Sequence, residues 1–177
     1  MKATSCRKFI LISQINFMLI LGIDPGTAIT GYGVLRKGGA RGVPPQCLEY
    51  GCIRTGSDLP QEKRLLRIHS SIIRLIGKHR PDALSIERVF FFKNLKTAMP
   101  VSEARGAILL AAAQKKIPVF HYTPLQIKSA VTGYGNADKQ QMQKMIQATL
   151  RLKTIPRPDD AADAIGAALC HIYGLRI

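Results

Sequence analysis

Five of the eleven acidic residues fall in three places where a carboxylate could do chemistry. Asp24 follows an apolar run within LGIDPGTAITGYGVL (Leu21 to Leu35) and precedes a turn studded with glycine. Glu87 lies in PDALSIERV, and Asp159, Asp160 and Asp163 crowd into PDDAADAIGAAL. An acid followed by small, flexible residues suits a metal ligand at a strand end, and it equally suits the phosphate loop of a nucleotide-binding protein. Each place also has an ordinary explanation. Asp24 can be a turn acid before Pro25, Glu87 a salt-bridge partner of Arg88 at a sheet edge, and Asp159 or Asp160 a helix cap.

Capping accounts poorly for Asp163. Residues three and four apart share a helix face with Cβ atoms about 5–6 Å apart, so Asp163 can act with Asp160 or Asp159. One arrangement covers all three places: the strand ending at Asp24 lies beside the strand ending at Glu87, and the last helix packs across both. Four carboxylates would then meet, and such a cluster requires protons or cations. Two divalent ions about 3.5–4 Å apart would neutralise it. Oxygen ligands with no histidine or cysteine nearby favour magnesium or manganese over zinc. His171, eight residues past Asp163, reads as a helix-face residue and not a ligand.

The elements that must position these acids follow from periodicity. Leu19 to Ile23 is a buried strand ending at Asp24-Pro25-Gly26, and TGYGVLRK and CLEYGCIRT continue it as an antiparallel meander. Pro60 opens a helix to about Arg80, with Leu65, Ile68, Ile72, Leu75 and Ile76 on one face and Lys63, Arg64, Arg67 and Arg74 on the rest. The strand holding Glu87 precedes a helix from around Thr97 to Lys116, with Pro100 near its first turn or at a kink. IPVFHYT is a strand. Pro124 begins a short helix ending near Gly133, Asp138 caps a helix to about Leu152, and Asp159 to Tyr173 is the last helix. The order β-β-β-α-β-α-β-α-α-α describes an α/β domain, a mixed sheet with helices packed on it.

A chain of 177 residues suits one well-cored domain. With 26 Lys and Arg against 11 acids, the net charge of +15 points to a polyanionic partner, most often nucleic acid. Cys6, Cys47, Cys52 and Cys170 show no CxxC pair and read as reduced thiols of a cytoplasmic protein. Residues 1–17 start basic and turn apolar as a targeting segment does. However, Ser13, Gln14 and Asn16 interrupt the apolar stretch and no small-residue cleavage site follows. The stretch is also too short and polar for a membrane span. An N-terminal extension over 1–17 and a single domain over 18–177 are expected.

GIDPGTAITGYGVL, IERVFFFKN, ARGAILLAAA and DDAADAIGAAL, in this order from Met18 to about His171, resemble the signature segments of the RuvC Holliday junction resolvases. That resemblance implies a ribonuclease H-like fold with a five-stranded mixed sheet and helices on both faces. It implies a metal-dependent homodimer that makes symmetric nicks in four-way junction DNA, leaving 5′-phosphate and 3′-hydroxyl ends, and works with the RuvA–RuvB branch-migration complex. Asp24 matches the first-strand aspartate, Glu87 the glutamate of the I-E-x-V-F segment, and Asp160 and Asp163 the pair in D-A-A-D-A. These four would hold two Mg2+ ions, with Mn2+ able to substitute. Asp159 is an additional acid just before that pattern. Lys128 and Lys139 match basic residues near the scissile phosphate. Phe90 matches an aromatic that contacts unstacked bases, a role base stacking rationalises, with Lys93, Asn94 and Lys96 flanking the DNA. The small residues around Ala104-Arg105-Gly106 suit close dimer packing. Pro100, Ser102 and Glu103 depart from the family pattern and touch the helix start and dimer contacts only.

Three other functions fit parts of the chain. Actin-like ATPases and sugar kinases share an Asp-x-Gly-Thr turn but need two domains and a second phosphate loop. A small nuclease family that trims pre-ribosomal RNA also begins with a strand and DPGT, although TGYGV and IERVFFFKN favour the resolvase. A non-catalytic basic DNA-binding module accounts for the charge and leaves the acids without a task.

Overall fold

The computed structural model describes residues 17–38, 42–88 and 95–174. Of the expected N-terminal extension only Phe17 is among them, and Phe90, Lys93 and Asn94 lie outside the described residues. The elements occur in the expected order: β1 (Leu19–Asp24), β2 (Ile29–Arg36), β3 (Gln46–Arg54), α1 (Gln61–His79), β4 (Ala83–Glu87), α2 (Leu95–Gln114), β5 (Val119–Tyr122), α3 (Pro124–Thr132), α4 (Lys139–Leu150) and α5 (Asp159–Gly174).

The sheet order is β3-β2-β1-β4-β5. β1, β2 and β3 form the antiparallel meander, while β4 pairs parallel with both β1 and β5. β1 is therefore the central strand and must be apolar on both faces, which is why Ile20, Leu21 and Ile23 are all fully buried. Leu21 and Ile23 join Ile68, Ile72 and Ile76 of α1 and Ile108 of α2 in one core. Ile20 joins Ile165 and Leu169 of α5, Ile127 of α3 and Ile146 of α4 in the other. Helices cover both faces, as expected for the ribonuclease H-like fold.

α5 lies directly on the sheet because small residues meet small residues. Its Ala161, Ala162, Ala164, Gly166, Ala167 and Ala168 are buried. A Cβ added at Gly22 would collide with the carbonyl oxygen of Ala164, and one at Gly31 with that of Asp160. The glycines of this segment were expected to serve the turn, and Gly26 does, since a Cβ there would strike the carbonyl of Ile29. Gly22 and Gly31 instead admit a helix backbone.

α2 is shifted two residues from expectation at each end. It begins at Leu95, so Pro100 is inside the helix. It ends at Gln114 because Lys116 turns left-handed (φ 56°) and Ile117 N–H closes back onto Ala112 C=O at 3.0 Å. Asp138 caps α4 as expected, in a reciprocal box with Gln141 at 2.8 and 2.9 Å. Thr123 and Gln126 build the same box at the start of α3.

Candidate active site

Strand pairing sets the first two acids side by side. β1 and β4 run parallel with Ile23 opposite Ile86, so Asp24 and Glu87 end neighbouring strands at the same level. Alternation turns Ser85 and Glu87 toward α5 and Ile86 toward α1 and α2. Ser85 Oγ donates to Ala167 C=O at 2.6 Å, tying β4 to α5 one residue pair before the acid. The turn after Asp24 is held by threonines. Thr30 Oγ1 donates to Gly26 C=O, Thr55 Oγ1 to Thr27 C=O, and Thr27 Oγ1 to Pro100 C=O at 2.7 Å.

α5 brings the remaining acids. Asp163 and Glu87 line one cleft of about 260 Å3 together with Lys128 of α3, Lys139 at the first position of α4, Pro124, Ile127 and Met142. The capping boxes at Thr123 and Asp138 fix where those two helices start, and so where the two lysines stand. Asp160 lies over Gly31, the β2 residue paired with Asp24.

The electrostatics are those of a crowded acidic centre. Burial pushes the Asp24 carboxyl up to about 8, helped by the charges of Asp163, Glu87 and Asp160 and opposed by Lys139. Glu87 is pushed up to about 7 by burial and Asp163, against Lys128. Burial also raises Asp163, with Lys139 pulling the other way and Asp160 and Asp159 adding to the rise. Among the described residues no three His, Cys, Asp or Glu side chains converge into a closed ligand set. The acids sense one another through their charges, and such crowding calls for protons or cations.

Asp159 is engaged elsewhere. Its carboxylate accepts from Gln143 Nε2 at 2.8 Å and pairs with Lys139 Nζ at 2.9 Å, and the Lys139 bond holds it below the usual carboxylate range. Glu87 makes no ion pair with Arg88 among the described residues; consecutive strand residues point to opposite faces. His171 is buried, its Nδ1 2.7 Å from Tyr122 Oη and its ring 4.3 Å from that of Phe120.

One neighbour contradicts the expectation of no cysteine nearby. Cys52 of β3 pairs with Gly31, which pairs with Asp24, and the Ala161 backbone bonds its thiol. Burial, then the charge of Asp160, holds that thiol protonated above its ordinary range, so it does not offer a thiolate. The donor set near the cleft is therefore carboxylate oxygen, which fits a hard divalent cation.

The family model for the crossover junction endodeoxyribonuclease RuvC matches residues 20–171. The chain belongs to the RuvC family. Its similarity to the RuvC of Desulforamulus reducens is 52% identity over 154 residues, 87% of this chain and 93% of that protein. A solved Thermus thermophilus RuvC superposes with a TM-score of 0.84 at 35% identity, covering 90% of this chain and 96% of that one. The same Thermus protein in complex with Holliday junction substrate matches equally well, at 0.84 over 90% and 95%. Membership makes this RuvC-family chain a DNA endonuclease of crossover junctions, a phosphodiester hydrolase. It also sets aside the phosphate loop, the ribosomal-RNA trimming nuclease and the non-catalytic DNA-binding module. RuvC-family nucleases are metal-dependent. No helix among the described residues is long and apolar enough to cross a membrane.

Proposed function

We propose that Asp24, Glu87, Asp160 and Asp163 hold two magnesium ions, replaceable by manganese, and that the chain resolves four-way DNA junctions by paired symmetric nicks. The observation that carries this is geometric. Two parallel strands end level at Asp24 and Glu87, Asp163 lines a cleft with Glu87, and the Asp160 backbone lies over Gly31, the partner of Asp24. Divalent metal, when bound, supplies neutralising charge to the acids and Lewis acidity toward the phosphate.

The chain's own groups do the rest. Asp24 and Glu87 hold protons near neutrality and release them when cations arrive. Lys128 and Lys139, on the wall of the cleft facing Glu87 and Asp163, grip oxygens of the scissile phosphate. Hydrolysis leaves a 5′-phosphate and a 3′-hydroxyl. Phe90 stacks on an unpaired base at the junction centre, and Lys93 and Asn94 contact the DNA beside it.

Symmetric nicking requires two centres, so the active unit is a homodimer. An apolar groove of about 430 Å3 between α1 and α2 supports this, lined by Leu65, Leu66, Gly106 and Leu110, with Leu66 and Leu110 more than half exposed. Of the three residues expected to pack the dimer, Ala104 is buried in the chain's own core and Arg105 bonds His121 at 2.8 Å; Gly106 lines the groove. The domain is residues 18–177, residues 1–17 are an extension, the location is the cytoplasm, and the RuvA–RuvB complex is the partner.

A divalent-metal titration with a synthetic four-way junction, scored for two symmetric nicks, tests this reading. Cleavage of structured RNA alone, or nicking in chelator, would sink it.

A further inference from the structure

The cationic surplus extends well beyond the acidic cleft. A second groove of about 310 Å3 runs between edge strand β3 and α1, and Arg54, Arg67, Arg74, Lys78, Ser71 and Tyr32 line it. No acid contributes to its wall. Arg67, Ser71, Arg74 and Lys78 recur at three-to-four spacing and form one stripe on α1. At 1.5 Å per residue the stripe from Arg67 to Lys78 is about 16 Å long.

Lys78 is paired with Glu49 at 2.6 Å, and Arg74 donates to Ser71 Oγ at 3.1 Å. Among the described residues Arg54, Arg67 and Arg74 have no carboxylate within ion-pair distance. All three are exposed. Three unpaired guanidinium groups around one groove form a focused positive field that suits an extended polyanion.

The groove lies on the α1 face of the sheet, and one residue of its lining also reaches the α5 face. Cys52 belongs to its lining, and the same Cys52 is bonded by the backbone of Ala161, next to Asp160. At one phosphate per about 3.4 Å of duplex strand, the stripe spans roughly five phosphates.

We propose that the β3–α1 groove is a second DNA track, in which Arg54, Arg67 and Arg74 grip the phosphodiester backbone of a junction arm. This rests on the nuclease reading above. The occupant is backbone and not bases, because the lining offers guanidinium groups and one tyrosine, with no pair of aromatics to receive a base.

The test uses the whole chain and a labelled four-way junction. Binding in chelator is measured across a salt range for the wild type, for Arg67→Gln/Arg74→Gln and for Arg67→Lys/Arg74→Lys. Removing two phosphate contacts makes the slope of log affinity against log salt shallower by about 2, at roughly 0.9 per contact. Affinity at low salt falls, the lysine pair keeps the wild-type slope, and single-turnover nicking at saturating junction stays within twofold of wild type. An unchanged slope in the glutamine pair overturns the track. Should that variant not fold, phenylglyoxal modification of the wild type decides instead. Junction DNA protects Arg67 and Arg74 if the track exists, and equal reactivity with and without DNA overturns it. A wild type that binds junctions but never nicks them with metal would fail the nuclease reading; nicking with an unchanged slope fails the track alone.

Discussion

Asp160 rests with its backbone carbonyl against the bare Cα of Gly31, and Gly31 is the residue paired with Asp24 across the β1–β2 ladder. One glycine thus sets the distance between the helix carrying Asp160 and Asp163 and the strand carrying Asp24. A Cβ at this position would overlap the Asp160 carbonyl, so Gly31→Ala must lift the start of α5. Overpacking of this kind costs about 1–3 kcal/mol, and each kcal/mol lowers Tm by about 2–4 °C in a chain of this size. Nicking should fall by more than tenfold at a temperature where the variant is still folded, because Asp160 moves relative to Asp24. Thermal melts with junction-cleavage rates check this; a variant with wild-type rate and Tm would mean that α5 has room to spare.

The same crowding makes the acids costly without cations. Burial raises the Asp163 carboxyl, and Asp160 and Asp159 add to the rise against Lys139. Asp163→Asn keeps the shape and removes a charge, so in metal-free buffer at pH 8 its Tm should exceed the wild type by a few degrees, about 2–4 °C for each kcal/mol relieved. Added magnesium should raise the wild-type Tm more than the variant's, while the variant loses nicking. Differential scanning fluorimetry with and without chelator distinguishes these outcomes, and a clear drop in metal-free stability would count against a shared cluster.

The acids were legible in the sequence because they are scarce in so basic a chain, and because strand alternation and helical spacing place them without knowledge of tertiary contacts. Asp24 and Glu87 end β1 and β4, and Asp160 and Asp163 lie on α5, the elements that this reasoning named. What escaped it depends on pairing between distant strands. Thr55 anchors the turn after Asp24 only because β3 lies beside β2, and Cys52 approaches Asp160 only through the Asp24–Gly31–Cys52 register. Gly22 and Gly31 read locally as residues of two strands, since sequence alone carries no sign of a helix lying on top of them. Arg88 was a plausible partner for Glu87 until the faces of β4 were assigned.

Asp159 and Asp160 are adjacent and differ in surroundings. Asp159 is bound to Lys139 and Gln143, whereas Asp160 lies over Gly31, the partner of Asp24. Asp159→Asn should therefore leave metal dependence intact and change nicking by no more than about tenfold, through a looser Lys139. Asp160→Asn should reduce nicking by about a hundred- to a thousandfold, the scale on which removal of a charge-stabilising group from a catalytic centre is felt. Parallel single-turnover assays decide it, and equal losses would place Asp159 among the ligands.

The raised carboxyls also fix the direction of a pH effect. Asp24 moves from 3.8 to about 8 and Glu87 from 4.5 to about 7 on folding. The folded chain then binds more protons than the unfolded one between about pH 4 and pH 8, so stability falls as pH rises through that window. Metal-free wild type should melt progressively lower from pH 5 to pH 8 and level off above. Asp24→Asn should flatten most of that slope, because the larger of the two shifts belongs to Asp24. Cation binding requires the ionised acids, so magnesium affinity should climb over the same window and titration should release protons below pH 8. Calorimetry in two buffers of different ionisation enthalpy reads that release directly. A magnesium affinity independent of pH from 5 to 8 would mean that the acids are already ionised, and that the crowding at Asp24 is relieved by something other than a proton.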